Sequence, residues 1–253
     1  MIMKKNFLPI IALALSATAC VSDADLDVAD NKGFINVSVS ADNSMETRAS
    51  NTISNTDSWT KKVDNADWSA STGYNAGEHT VSVSNYASIT EALNANDGWG
   101  DMYFEGQTTV TVEQGKTSTV TVDCEKAKNA RLKVSFGTFP STFSSIKLTA
   151  TTTNDSRTKK SFEFTSTPSQ LAYFLANESI SYTLSWSING NEKSTTGTIV
   201  LADAATENVI TINPNSNGLI EIKISADLEF TNGTKETITI DAATGDKVAN
   251  SQK

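Results

Sequence analysis

The chain offers few side chains that could catalyse a reaction. It contains one histidine, His79, among 29 aspartate and glutamate residues. A catalytic triad needs a nucleophile and a carboxylate placed around the imidazole, whereas His79 alternates with Val81 and Val83 in a strand-like run. The carboxylates Asp64 and Asp67 could in principle support glycoside hydrolysis, but acidic pairs are common in so acidic a chain. We therefore predict that the protein is not an enzyme, and we expect no cofactor and no metal site.

Cys20 is placed for a different kind of chemistry. Lys4 and Lys5 precede an apolar run at residues 7–15, which is typical of an export signal and shorter than the about 20 residues that a transmembrane helix needs. The small residues before Cys20 make the segment similar to a bacterial lipobox, in which cleavage before the Cys is followed by acylation of its thiol. Lipoboxes usually carry Leu where this chain has Ala17, so ordinary secretion is the alternative.

The two cysteines have different expected fates. Acyl chains such as palmitate on Cys20 would anchor the protein to a membrane, since each buried CH₂ contributes about 0.8 kcal/mol. Cys124 would then have no disulfide partner, because the chain contains two cysteines. Cys124 follows Val120 and Val122 at two-residue spacing and so lies on the same face of the predicted strand. We therefore predict that its thiol lies in the core as a small apolar group.

Residues 1–19 are therefore predicted to be a signal peptide, with translation starting at Met1 or Met3, and residues 20–32 an acidic tether. The alternating Asp residues at 23, 25 and 27 lack the Gly and distal Glu of an EF-hand loop, so a solvated leader is the preferred interpretation. Acidic residues directly behind the Cys resemble the signal that sends Bacteroidetes lipoproteins to the outer face of the outer membrane. We expect a lipid-anchored, surface-exposed protein.

Three tryptophans lie in turn-like segments and could form a binding surface. Flat rings on loops stack against sugars while neighbouring carboxylates accept hydroxyl bonds. Trp99 with Asp97 and Asp101, together with Trp68 and Trp59, is the predicted glycan contact. The alternative is that these rings cap the open ends of a β-sandwich, because Trp is highly buried on average.

The elements that must position these residues are predicted to be β-strands. Apolar residues recur at every second position in runs at 34–40, 79–85, 108–113, 117–124 and 130–136, which is typical of half-buried antiparallel strands. Residues 114–116 contain Gly115 and predict a hairpin between the third and fourth runs. Ser88–Asn96 is the one short helix that the spacing of apolar residues predicts.

The second half of the chain repeats this alternation after a charged stretch at residues 125–129. Trp186 is in step with Leu184 and Ile188 and is predicted to be buried. The pairs Asn189-Gly190 and Asn232-Gly233 predict hairpin turns. We predict an all-β fold of two tandem β-sandwich domains, transthyretin- or Ig-like, at residues 33–126 and 127–253.

Charge excludes one class of partner. The chain has 20 Lys and Arg residues, 29 Asp and Glu residues and a net charge of −9. Such a chain is repelled by nucleic acid, so we predict no nucleic-acid partner.

Several short motifs in order carry a family resemblance. Residues 74–81 (YNAGEHTV), 102–106 (MYFEG), 112–117 (VEQGKT) and 122–130 (VDCEKAKNA) resemble the DUF4493 family of Bacteroidetes lipoproteins, a family of uncertain function. The layout is also similar to that of fimbrillins, lipidated pilin precursors with tandem transthyretin-like domains.

The resemblance to fimbrillins gives Arg48 a possible role. In fimbrillins a trypsin-like protease cuts after an Arg beyond the first strand, and another subunit's strand fills the freed groove. Arg48 follows the predicted strand at 34–40, so it is a candidate processing site; the alternative is an ordinary exposed loop residue. We expect a surface-exposed outer-membrane lipoprotein in adhesion or as a fimbria-like subunit, with membrane and pilin-like subunits as partners, or alternatively a glycan-binding lipoprotein for polysaccharide capture.

Overall fold

The computed structural model describes residues 31–41, 58–167, 170–215, 218–228 and 231–248. The described part is built mainly from strands, which confirms the predicted all-β class. Four sheets form two pairs, and the members of each pair share one cluster of buried side chains. Alternation of apolar and polar residues gives each sheet one face that packs and one that is solvated.

The first pair of sheets uses the N-terminal elements of the described chain. Its elements are β1 (Lys32–Ser40), β2 (Thr60–Val63), β3 (Ala66–Asp67), β4 (Tyr74–Asn75), β5 (Gly77–Ser84), α1 (Ile89–Asn94), a 3₁₀ helix (Asn96–Gly98), β6 (Glu105–Val112) and β7 (Thr117–Asp123). One sheet has the order β4-β1-β7 and the other β3-β2-β5-β6. Ser88 caps α1 by accepting a hydrogen bond from the Glu91 N–H, as the predicted helix requires.

The second pair of sheets follows along the chain. Its strands are β8 (Asn129–Phe136), β9 (Phe143–Thr151), β10 (Ser161–Thr165), β11 (Leu171–Leu175), β12 (Ser179–Ile188), β13 (Asn191–Val200), β14 (Glu207–Pro214), β15 (Leu219–Leu228), β16 (Thr231–Asp241) and β17 (Lys247–Val248). The orders are β10-β9-β12-β13 and β11-β8-β14-β15-β16-β17. Trp186 is fully buried in their shared core, as predicted.

The buried residues separate into two clusters near the expected domain boundary. Ala127 belongs to the first cluster and Ala130 to the second. The division at residues 126 and 127 stays a prediction, and this distribution of the core favours it. Tyr173, from the second pair of sheets, also contributes to the first cluster, so the two cores meet.

Arg157 connects the two halves from inside. It is 2% exposed, and its guanidinium donates to the carbonyls of Gly98 and Tyr173. The guanidinium also lies 4.7 Å from the ring centre of Phe162 and 4.9 Å from that of Phe174. Burial lowers the pKa of Arg157 to about 10, so the side chain is still charged at neutral pH.

Two asparagines add hydrogen bonds to the same junction. Asn94 donates to the Ser156 carbonyl and accepts from the Thr158 N–H. Asn129, which is fully buried, donates to the Asp101 carbonyl and accepts from the Tyr103 N–H. Hydrogen bonds therefore attach α1 to the β9–β10 loop, and the segment between the 3₁₀ helix and β6 to the start of β8.

Two of the predicted turns differ from the structure. Residues 114–116 do not close a hairpin, because β6 pairs with β5 while β7 pairs with β1 in the opposite sheet. Gly115 has the positive φ that was expected, yet the turn crosses from one sheet to the other. Asn232 and Gly233 lie inside β16, opposite Asp227 and Ala226. The Asn189-Gly190 turn is confirmed, with both residues at positive φ between β12 and β13.

Candidate functional site

Strand β1 is held along one side by β7. The two strands run parallel through seven residue pairs from Phe34 to Ser40. At the two ends, the Phe34 N–H donates to the Lys116 carbonyl over 2.8 Å and the Cys124 N–H donates to the Ser40 carbonyl over 2.7 Å. The first strand of the described chain thus depends on a partner that is about 80 residues away in sequence.

The other side of β1 is an open edge for most of its length. Strand β4 pairs with it at Lys32 and Gly33, and the Trp68 indole N–H donates to the Ile35 carbonyl over 2.9 Å. Within the residues that the structure describes, no strand pairs with this side of β1 beyond Gly33. An open edge is the part of a sheet at which a strand can be added or exchanged.

Alternate side chains of β1 fill the core of the first sandwich. Ile35 is 1% exposed and Val37 is 5% exposed. They share a cluster with Val81, Val112 and Val122. If β1 left, these partners would line a groove with apolar pockets at every second residue of a bound strand.

The start of β1 lies very close to the turn between β6 and β7. A Cβ atom added to Gly33 would stand 2.2 Å from the Glu113 carbonyl oxygen and 2.7 Å from that of Lys116. Both obstacles are backbone atoms that cannot rotate away. Gly33 is therefore required for the docking of β1 in this position.

His79 connects β4 to the turn between β2 and β3. Its Nδ1 lies 2.6 Å from the Asp64 Oδ2, and its Nε2 lies 2.7 Å from the Asn75 carbonyl oxygen. Both partners are acceptors, so both ring nitrogens donate and the imidazole is protonated. Asn75 pairs with Lys32, and the charged ring thus supports the short strand that covers the start of β1.

The pKa values of the pair follow from these contacts. Burial alone lowers the pKa of His79, but the hydrogen bonds to Asn75 and Asp64 and the charge of Asp64 outweigh burial and raise it above its ordinary 6.5. The pKa of Asp64 is lowered from 3.8, first by the hydrogen bond from the Thr80 N–H and then by His79. Each partner therefore stabilises the charged form of the other.

We expect the stabilisation that the His79–Asp64 pair provides to depend on pH. Because the folded-state pKa of His79 is raised, its contribution is complete below the unfolded value of 6.5 and is lost as the pH rises through the folded-state pKa. The contribution of Asp64 has the opposite sign, since it is present above 3.8 and is lost as the pH falls through the lowered pKa. The pair is most stabilising between these values.

The measurement is an NMR titration of the imidazole protons, which belong to one residue because the chain has a single histidine. The wild-type protein should titrate above 6.5. An Asp64→Asn variant should titrate at a lower pH, since it retains a neutral acceptor and loses the charge. Equal pKa values in the two proteins would contradict the assigned ion pair.

The two residues predicted for covalent processing, Cys20 and Arg48, lie outside the described residues. Their roles stay predictions. In sequence, Arg48 follows β1 and precedes β2, so a cut after it would separate β1 from the rest of the first sandwich.

The three loop tryptophans are not gathered into one surface. Trp59 is 8% exposed and stacks on Phe104 in the first core. Trp99 packs edge-on against the rings of Phe162 and Phe164 in the second core. Trp68 is half-buried beside the first core. The rings belong to different cores, which favours the alternative that they cap the sandwiches.

The two acidic residues of the predicted glycan contact differ in their surroundings. Asp101 accepts hydrogen bonds from the Met102 N–H and the Tyr86 hydroxyl, so both of its oxygens have internal partners. Asp97 is exposed and has a positive φ. Glycan contact stays a prediction; of its predicted members Asp97 is exposed, and Trp99 and Trp68 are half-buried.

Cys124 is buried directly after β7, as predicted. Burial first, and the charge of Asp123 second, raise the pKa of its thiol to about 11. A protonated, buried thiol is a poor nucleophile. The side chain therefore acts as a small core residue.

No group of three or more His, Cys, Asp or Glu side chains in the described part of the chain is arranged to hold a metal ion. None of the helices found within the described ranges has the length and apolar composition needed to cross a membrane.

A family model described as a domain of unknown function, DUF4493, matches residues 10–242. None of the curated proteins that were compared with the chain gives a significant match.

Several solved structures of Bacteroidetes proteins are similar in fold. A proposed cell adhesion protein of Bacteroides ovatus has 11% identity and a TM-score of 0.38, over 79% of this chain and 96% of its own. A proposed cell adhesion protein of Bacteroides eggerthii has 8% identity and a TM-score of 0.39, over 78% and 95%. A fimbrial assembly protein of Parabacteroides distasonis has 14% identity and a TM-score of 0.35, over 59% and 69%.

Proposed function

The chain belongs to the DUF4493 family, and on that premise we propose that it is a lipid-anchored structural subunit of the outer-membrane surface, acting in adhesion or in a fimbria-like assembly. Acylation of Cys20 would attach the uncut chain to the membrane. Cleavage after Arg48 would separate the segment that carries Cys20 and β1 from the rest of the chain. Once β1 leaves, its groove would be open to a strand of another subunit. The proposed role needs no catalytic group.

The position of β1 is the observation that carries this proposal. The strand precedes Arg48 in sequence, contributes Ile35 and Val37 to the core, and has an open edge beyond Gly33. After a cut at Arg48, β1 would be held by non-covalent contacts alone. An incoming strand could then replace its hydrogen bonds to β7 and its two core side chains.

An arginine-specific protease offers a clean test. The chain has three arginines, Arg48, Arg131 and Arg157, and the last two are each 2% exposed in the folded protein. We expect a single cut after Arg48 in the native full chain. A labelled peptide with the sequence of residues 32–40 should then enter the cut protein by exchange with β1.

Two controls make the result specific. An Arg48→Gln variant should resist the protease and take up no peptide. A peptide that carries Asp in place of Ile35 should not enter the cut protein, because it would bring an unpaired charge into the apolar core. Uptake of both peptides alike, or a native chain that resists cleavage at Arg48, would argue against strand addition.

A further inference from the structure

The outer face of the β2-β5-β6 sheet carries a polar concavity of about 410 Å³. Cross-strand pairs place Lys62 beside Ser82 and Ser82 beside Gln107 in one row. The next row contains Ser84 and Glu105. Residues directly opposite each other share one face of a sheet, and the alternate residues Val81 and Val83 face the core.

Tyr103 and Lys128 form the wall of the concavity beside β6. The Lys128 N–H donates to the Tyr103 carbonyl over 2.7 Å. The Tyr103 hydroxyl donates to the Glu105 Oε2 over 2.7 Å. Lys62 on β2 and Lys128 beyond β6 thus approach the concavity from opposite sides.

The charges here differ from those of the whole molecule. The chain has a net charge of −9, whereas the concavity is lined by two lysines and one carboxylate. Within the described ranges neither Lys62 nor Lys128 has an ion-pair partner. The carboxylate of Glu105 is already engaged by the Tyr103 hydroxyl. Two ammonium groups therefore remain available to a ligand.

We propose that this concavity binds an anionic saccharide, whose acidic group is a carboxylate or a sulfate. Its volume lies within the roughly 300–1,000 Å³ of small-molecule sites, but such sites are mostly apolar and this one is polar. Hydroxyl and amide groups on Ser82, Ser84 and Gln107 suit a ligand with many hydroxyls. Lys62 and Lys128 suit its acidic group.

Four probes test the chemical class on the full chain by isothermal titration calorimetry. They are a uronate disaccharide, a sulfated disaccharide, a neutral disaccharide and inorganic phosphate. We expect at least one anionic sugar to bind, and the neutral sugar to bind about tenfold more weakly or not at all. The anionic disaccharide that binds identifies whether the acidic group is a carboxylate or a sulfate. Binding of neither anionic sugar, or of phosphate as tightly as sugar, would overturn the proposal.

Variants locate the site. The double variant Lys62→Gln/Lys128→Gln should weaken binding about tenfold or more, whereas Lys193→Gln/Lys247→Gln removes the same charge from β13 and β17 and should leave affinity unchanged. Gln107→Ala alters no charge and should weaken binding about fivefold. Melting temperatures should not change, since none of the replaced lysines has an ion-pair partner among the described residues. Equal losses in the two double variants would assign binding to net charge and refute the site.

This inference is independent of strand addition. The concavity lies on the sheet that does not contain β1. A failure of sugar binding leaves peptide exchange after cleavage at Arg48 unaffected, and the reverse also holds.

Discussion

An Arg157→Met variant is expected to lose about 3 kcal/mol of stability. Methionine fills much of the space but leaves the carbonyls of Gly98 and Tyr173 buried without their donor, at a cost of roughly 1–3 kcal/mol each. The interactions with the rings of Phe162 and Phe174 also disappear. Removing a buried cation from the core offsets part of this loss.

Guanidinium unfolding followed by tryptophan fluorescence and circular dichroism would measure the change. Because Arg157 contacts both halves, we expect the two halves of the variant to unfold at separate denaturant concentrations. Arg157→Lys should be nearly as damaging, since an ammonium cannot reproduce the planar fork that reaches both carbonyls.

Lys159→Met is the matched control for the Arg157 substitution. The Lys159 ammonium lies 5.0 Å from the ring centre of Trp99, a partly exposed interaction that is worth about 1 kcal/mol at most. If Arg157→Met were no more destabilising than this control, the role of Arg157 at the junction would be refuted.

A Gly33→Ala variant is expected to weaken the docking of β1 by about 3 kcal/mol, because the new methyl group would meet two backbone carbonyls that cannot move independently. Hydrogen exchange resolves the effect along the chain. Amides of β7 that pair with β1 should exchange about a hundredfold faster, while amides at the centre of β12 keep their protection.

Gly73→Ala provides the same chemical change nearby. A Cβ atom at Gly73 would lie 3.2 Å from the Cδ of Lys32, which belongs to a flexible side chain. We expect this control to change stability by less than about 0.5 kcal/mol. Faster exchange throughout both sandwiches of the Gly33 variant would mean global unfolding and would contradict a local role at β1.

Alternation along the sequence was sufficient to predict the strands at 34–40, 79–85, 108–113, 117–124 and 130–136 and their buried faces, but not the short strands β2 and β3. The expected positions are buried, among them Ile35, Val37, Val81 and Val83. Alternate side chains of a strand lie on the same face in any sheet, so a two-residue period identifies the buried face. The same period does not specify which strands pair. A turn that contains Gly115 is compatible with a hairpin and with a crossing between sheets, and burial of both flanking strands occurs in either case.

The contacts between the halves could not be predicted in this way. Arg157 lies in a polar stretch with no apolar period, and its burial depends on carbonyls supplied by Gly98 and Tyr173, which are distant in sequence. The concavity around Lys62 and Lys128 could not be predicted for the same reason, since its residues are distant in sequence. Alternation indicates that Ser82 faces outward, but only the register between strands places Lys62 and Gln107 beside it in one row.

The parallel pairing of β1 and β7 has a mechanical consequence. Tension between the N-terminal end of β1 and the second sandwich would pull Phe34 one way and the chain after Asp123 the other way. In a parallel pair this load slides the strands along their common axis, so that the bonds from Phe34 to Ser40 resist together in shear instead of opening one after another. A chain loaded along this axis before cleavage resists extension at the position that a strand of another subunit would occupy after β1 has left.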